Sequence, residues 1–264
     1  MNCARVLGFF LENGCIFINF VVKERELDNM NDAALYLFPV GLSDTLPDNV
    51  LPQHNLELLR EMRYLVVENI RTARRFLKSV DKSIDVNAIE FTELSEHTDV
   101  GDIPDMLAPL SHGESVGLLS EAGCPAVADP GSDLVAAAQR RGYKVVPLVG
   151  PSSILLSLMG SGFNGQSFAF MGYLPIDESA RVRRLKDMQR RVVAERQTQI
   201  FIETPYRNNK LIAELVSRLP GDMLLCVASD ITGPSQSIVT MPLNKWAKAK
   251  YDYNKIPTIF LLYS

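Results

Sequence analysis

From Ala34 onward the chain alternates short apolar runs with stretches of helical periodicity, and this alternation confines it to an α/β fold. Residues 35–38, 64–67, 89–94, 115–119 and 144–148 read as strands. Helices are expected between them over 55–63, 70–78, 103–110 and 134–141, with Gly142 closing the last. Strands separated by helices pair in parallel, so a mostly parallel five-stranded sheet covered on both faces is expected over 34–150.

A second half follows. Gly150, Pro151, Ser152 and Ser153 open another helix with a serine cap, and it ends in the glycine-rich run 160–165. That run matches G-x-G-x-x-G, but it follows a helix; a dinucleotide-binding turn follows a strand and opens a helix, so the match is rejected. Strands are expected over 168–174, 199–202, 223–228, 237–241 and 258–263, and helices over 178–195, 208–219 and 243–250. The short late connections imply a mixed sheet. The expected organisation is two α/β domains, 34–150 and 168–264, joined by a connecting helix and linker over 151–167, with a ligand in the cleft between them. Residues 1–33 are unassigned: the pattern changes so abruptly after the charged run at 23–26 that Met30 reads as a start, and an added N-terminal strand reads equally well.

Composition narrows the function classes. A formal charge of −4 over 264 residues excludes a protein that coats nucleic acid over its whole surface and leaves room for a local basic patch. Cys3, Cys15, Cys124 and Cys226 are scattered without C-x-x-C, and His54, His97 and His112 without H-x-x-x-H, so neither a metal site nor a disulfide framework is expected. The apolar runs 6–11 and 15–22 are too short to span a bilayer and make a poor signal peptide, which leaves a cytoplasmic protein as the default.

The most structured loop runs from Ser120 to Gly131. Gly123 lets backbone approach a ligand, Pro125 stiffens the exit from the strand, and Asp129 is placed to cap the next helix with Pro130 at its first position. Other short loops stand beyond the ends of predicted strands: 38–44, 68–71, 150–152 and 203–207. Open α/β sheets bind ligands at that edge.

These loops carry a family resemblance. Phe-Pro-Val-Gly at 38–41, Glu68 with Arg71, Glu-Ala-Gly-Cys-Pro-Ala-Val-Ala-Asp-Pro-Gly at 121–131, Gly-Pro-Ser at 150–152, Phe-Met-Gly-Tyr-Leu-Pro at 170–175 and Glu-Thr-Pro-Tyr-Arg at 203–207 resemble the tetrapyrrole methylase superfamily. Within it, the chain is most similar to the 16S rRNA cytidine 2′-O-methyltransferases. The resemblance implies an S-adenosylmethionine-dependent methyltransferase, usually dimeric, with its cofactor in the interdomain cleft. Carried onto this chain, the cofactor loops are Pro39, Val40 and Gly41; Ser120, Glu121, Ala122 and Gly123; Pro151 and Ser152; and Met171, Gly172 and Tyr173.

A sulfonium methyl is already activated, so transfer asks mainly for in-line alignment, and a weakly acidic ribose hydroxyl gains from a base. Glu68 and Glu203 are the candidate bases, with Arg71, Arg74 and Arg207 placed to hold a phosphate or orient a carboxylate; Glu–Arg pairs that only fasten loops are the alternative. Arg181, Arg183, Arg184, Lys186, Arg190, Arg191 and Arg196, on the helix expected at 178–195, form the one strong positive cluster in the sequence and a candidate contact for ribosomal RNA. Three features depart from the 2′-O-methyltransferase pattern: Asn69 and Ile70 replace the usual Asp and Thr, Glu121 replaces Asp, and the sequence ends at Ser264 without the further segment many of them carry. These departures leave the cofactor in place and open two other readings, a small-molecule or tetrapyrrole methyltransferase and a cofactor-binding module without catalysis.

Overall fold

The computed structural model describes residues 33–95, 97–99 and 101–264. The expectations for Met30 and the N-terminal segment fall almost wholly on 1–32, outside the described residues, as do Cys3 and Cys15.

In the first half, β1 (Ala34–Phe38) leads through a 3-10 turn at Pro47–Asn49 to α1 (Gln53–Glu61), and β2 (Tyr64–Val67) leads to α2 (Ile70–Val80). β3 (Glu90–Glu93) is followed by a 3-10 stretch, Ile103–Leu107, and α3 (Ala108–Ser111). β4 (Val116–Leu119) leads to α4 (Gly131–Arg140), and β5 (Lys144–Pro147) to α5 (Ser153–Ser161). All pairings are parallel, in the order β3-β2-β4-β1-β5. Alternation along the strands divides the core: Leu35, Leu37, Val66 and Leu118 meet Leu107, Leu134 and Ala138 on one face, while Phe38, Leu65, Val67 and Leu119 meet Leu59, Ala73 and Leu77 on the other. The expected double-sided parallel sheet is present.

One expected helix is not continuous. Residues 103–110 contain Pro104 and Pro109, and the segment forms a 3-10 stretch running into a single α-turn, because each proline lacks the N–H an α-helix interior needs. Another is shortened: of residues 243–250 only Leu243–Trp246 is helical.

The second half contains β6 (Phe168–Tyr173), α6 (Glu178–Glu195), β7 (Thr198–Ile202), a 3-10 turn at Pro205–Arg207 and α7 (Asn208–Arg218). It continues with β8 (Leu224–Ser229), β9 (Ser237–Pro242), α8 (Leu243–Trp246) and β10 (Thr258–Tyr263). The sheet order is β6-β7-β10-β8-β9, with β6 and β7 parallel and the other pairs antiparallel, as expected of a mixed sheet. Leu185, Met188 and Val192 of α6 and Ile212 and Leu215 of α7 pack with Phe201, Phe260 and Trp246 on one face. Trp246 donates its indole N–H to the Leu225 carbonyl at 3.0 Å, and Tyr251 and Tyr253 pack about its ring where a longer helix was expected.

The opposite face packs on α5: Leu158 joins Ile200, Cys226, Ile259 and Leu261. The rejected glycine motif is the end of this helix. A Cβ on Gly160 would lie 2.6 Å from Ile238 Cδ1, and Gly162 closes α5 at φ +77°. No helix among the described residues is long and apolar enough to cross a membrane.

Gly117, in the middle of β4, has no room for a methyl: a Cβ would lie 2.6 Å from Leu65 and 2.9 Å from Phe38. Gly117→Ala is therefore expected to destabilise the protein by about 1–3 kcal/mol, read from the midpoint of urea unfolding at unchanged m-value.

Candidate functional site

Parallel pairing brings the C-terminal ends of β1 to β5 to one edge, and short contacts join the loops there. Val40 N–H donates to Gly123 O at 2.9 Å, an isolated bridge between the loops after β1 and β4. The Ser120 hydroxyl donates to the same carbonyl at 3.1 Å. Gly123 is at φ +74°, a conformation costly to residues with a Cβ. A Cβ on Gly150 would lie 2.3 Å from Pro39 Cβ, so the loop after β5 lies directly against the loop after β1. Cys124 Sγ lies 3.5 Å from the Pro151 carbonyl. Burial pushes this thiol above its ordinary range, which leaves it a poor nucleophile.

The loop from 120 to 131 is itself constrained. Ala126 and Ala128 occupy the left-handed region, at φ +64° and +62°. Asp129 Oδ1 accepts from Ala126 N–H at 2.8 Å and Gly131 N–H at 2.9 Å. Burial raises the Asp129 pKa while these two N–H groups pull it down. The helix begins at Gly131 with Pro130 in the cap position, so Asp129 serves the helix start from one residue further out than expected.

Beyond β2, Glu68 Oε1 accepts the Glu121 N–H at 3.0 Å, and the Thr72 hydroxyl bonds Glu121 Oε1. Asn69 caps α2 by accepting from Arg71 N–H at 2.9 Å and Thr72 N–H at 3.2 Å. Ile70 packs against the core and donates its N–H to Glu93 Oε1 at 3.2 Å. The three substitutions noted in the sequence thus each have a structural role: Asn69 caps with a neutral oxygen, Ile70 packs, and the longer Glu121 reaches α2.

Pro39, Val40, Gly41, Ser120, Glu121, Ala122, Gly123, Pro151 and Ser152 therefore belong to one knit edge, with Glu68 and Arg71 beside it. Met171, Gly172, Tyr173, Glu203 and Arg207 stand together elsewhere, at the ends of the paired strands β6 and β7. The β6–β7 register shifts between Phe170 and Tyr173, Gly172 is at φ +63° with nothing within 4 Å of a Cβ, and Tyr173 is 62% exposed. Glu203 is buried; its Oε1 accepts from Thr204 N–H at 2.8 Å and Thr204 Oγ1 at 3.3 Å, while Oε2 pairs with Arg207 at 3.3 Å.

Sequence reasoning passed over the residues that fasten these groups. Ser43 Oγ donates to the Ile231 carbonyl at 3.0 Å and so connects the loop after β1 with the loop after β8. Buried Asn55, on the apolar side of α1, donates to the Val149 carbonyl at 2.7 Å; a polar residue in line with Leu56 and Leu59 was its available signal. Thr232, next to Ile231, has a buried hydroxyl oxygen without a hydrogen-bond partner.

The family comparison accords with this geometry. The sequence model of a family described as Tetrapyrrole (Corrin/Porphyrin) Methylases matches residues 51–247. The chain belongs to the tetrapyrrole methylase family. It is 31% identical over 209 residues to the Ribosomal RNA small subunit methyltransferase I of Vibrio cholerae, covering 79% of this chain and 68% of that one. It is 30% identical over 221 residues to the protein of that name from Micromonospora olivasterospora, covering 84% and 66%. The chain thus spans about two thirds of the length of these relatives. A crystal structure of diphthine synthase shares the fold, with a TM-score of 0.62 at 18% identity, covering 88% of this chain and 90% of that one. Tetrapyrrole methylases are methyltransferases that in general use S-adenosylmethionine. The residues fit such a cofactor: an orphaned hydroxyl at Thr232 adjoins loops rich in backbone polar groups, and Gly172 is open where a side chain would stand.

The expected basic helix requires correction. Arg181 is buried, its Nε 2.9 Å from Glu214 Oε2 and its Nη1 bonded to the Pro175 and Ile176 carbonyls. Asp187 pairs with both Arg190 and Arg191, and Arg196 ends the helix over the Tyr263 ring. Of the seven, Arg183, Arg184, Lys186 and Arg196 remain exposed and outside an ion pair among the described residues. This run is also not the one positive cluster, since α2 carries Arg71, Arg74, Arg75 and Lys78.

Arg181→Ala leaves the half-buried Glu214 with a single remaining partner, Arg218, and strips two backbone carbonyls of their donor, and is expected to cost about 3 kcal/mol in urea unfolding. Gly150→Ala pushes the Pro39 loop away and is expected to weaken S-adenosylhomocysteine binding about tenfold by calorimetry, at near-native far-UV circular dichroism.

Proposed function

We propose that this chain transfers the methyl group of S-adenosylmethionine to a ribose 2′-hydroxyl in small-subunit ribosomal RNA. The observation that carries the reading is the placement of two carboxylates, Glu68 and Glu203, each just beyond a strand end, with Glu203 paired to Arg207 and Arg71 following Glu68 in the first turn of α2. The names of the Vibrio cholerae and Micromonospora olivasterospora relatives, both ribosomal RNA small subunit methyltransferases, support small-subunit RNA as the acceptor.

When bound, the cofactor supplies a methyl on a sulfonium, activated without further acid or base. Pro39, Val40, Gly41, the 120–123 loop, Pro151 and Ser152 hold it from the first sheet, and Met171, Gly172 and Tyr173 from the second, in the cleft between the two domains. Polar backbone groups in these loops meet its ribose and amino-acid ends. The role of the knit edge is to fix that pose, since in-line alignment is where transfer to oxygen gains most. One of Glu68 and Glu203 takes the single proton of the acceptor hydroxyl as the methyl is transferred, and Arg71 and Arg207 hold flanking phosphate. The reading extends to a cytoplasmic homodimer.

The test is a tritiated-methyl assay on small ribosomal subunits from a strain lacking the enzyme, with Glu68→Gln and Glu203→Gln beside the wild type. The carboxylate that acts as base is expected to lose about 10²-fold or more in turnover on neutralisation, with S-adenosylhomocysteine affinity unchanged. Full turnover in both variants removes base catalysis from these two residues.

A further inference from the structure

We infer that the exposed face of α2 is the surface on which the RNA strand lies, carrying its phosphates past Glu68. Arg71, Arg74, Arg75 and Lys78 are spaced i, i+3, i+4 and i+7, so all four share one side of the helix, opposite the buried Ala73 and Leu77. Together with Asn69 and Thr72 they line an open groove of about 790 Å³.

Their charge is not consumed by ion pairs among the described residues. Among the described residues none of the four lies within ion-pair distance of a carboxylate, although the chain as a whole is acidic. Glu93, the one carboxylate lining the groove among the described residues, accepts the Ile70 N–H. Two of the cations are held in place: Lys78 Nζ donates to the Lys82 carbonyl at 2.9 Å and the Ile84 carbonyl at 2.6 Å, and the Arg74 guanidinium lies 5.3 Å from the Phe91 ring centre. On α6, by contrast, Asp187 and Glu214 neutralise three of the arginines, whereas on α2 none of the four cations is paired with a carboxylate among the described residues.

The face has the dimensions of a short backbone track. From Arg71 to Lys78 the helix rises about 10 Å at 1.5 Å per residue, long enough to run beside a few consecutive phosphates of a strand. Its N-terminal end adjoins the site directly: Glu68 and Asn69 precede α2, and Thr72 bonds Glu121 of the loop after β4. A strand on this face therefore reaches Asn69, the residue that follows Glu68, within the groove. The inference rests on the reading of the acceptor as RNA, and it assigns to α2 the backbone contact that the sequence suggested for α6.

The test measures filter binding of unmethylated 16S rRNA over a range of salt, with methyl transfer and S-adenosylhomocysteine calorimetry on the same proteins. Arg74→Gln/Arg75→Gln is expected to bind the RNA about tenfold more weakly, and its plot of log affinity against log salt to be shallower by about 1.4, the loss of two single-strand phosphate contacts. S-adenosylhomocysteine affinity stays at the wild-type value. Arg75→Gln alone, at an exposed residue, gives half the change in slope without disturbing Phe91. Wild-type affinity and slope in both variants, or an equal loss confined to Arg183→Gln/Arg184→Gln on α6, overturns the assignment even where methyl transfer is intact. Weakened RNA binding by the α2 variants together with no methyl transfer by the wild type upholds the surface and removes the proposed reaction instead.

Discussion

One backbone contact, Val40 N–H to Gly123 O, fixes the ligand edge of the first sheet. β1 and β4 are neighbours, but their loops would diverge beyond Phe38 and Leu119 without a bond holding them together. The bridge also sets what its surroundings must be. Gly123 accepts from both Val40 and Ser120 in a left-handed conformation, and Pro39 is brought so close to Gly150 that a methyl has no space there. Hydrogen bonds to Glu68 and from Asn55 extend the same network to β2 and α1. The strained alanines at 126 and 128 lie inside this network, where surrounding contacts over-determine the backbone.

Charge in this protein is divided between holding the fold together and remaining available. On α6 and α7, Arg181, Glu214, Arg218 and Glu178 form a connected set, and two further arginines converge on Asp187, whose pKa they pull down. Those cations hold helices and backbone carbonyls in place. On α2, Lys78 is instead paired with carbonyls and Arg74 with an aromatic ring, partners that leave net positive charge facing outward. A count of basic residues along the chain ranks α6 first; the distribution of carboxylates reverses the order.

That reversal marks the boundary of what was legible in the sequence. Elements whose signals are local were readable to the residue: α6 at 178–195, announced by its Asp177 cap, and β10 at 258–263, a bare apolar run before the end of the sequence. The prolines at 104 and 109 and the tyrosines that pack around Trp246 were visible as residues, yet their power to interrupt or shorten a helix depends on what they meet. Arg181 and Glu214 are 33 residues apart on different helices, a pairing that periodicity does not encode. The family motifs marked the cofactor loops, whereas Ser43, Asn55 and Thr232 are ordinary polar residues until the fold sets them against a particular carbonyl or buries them. The basic stripe on α2 obeyed a helical spacing and was available to be read.

The strand order has a further consequence. β1 leads the described sheet, yet it pairs with β4 and with β5, so Ala34 lies opposite Lys144. A chain emerging from the ribosome carries both edges of β1 unsatisfied until those later strands arrive, and the knit loops need Gly123 and then Gly150 before they close. Such distant pairings give the first sheet a high contact order, and they make the ligand edge one of the last parts of that sheet to assemble.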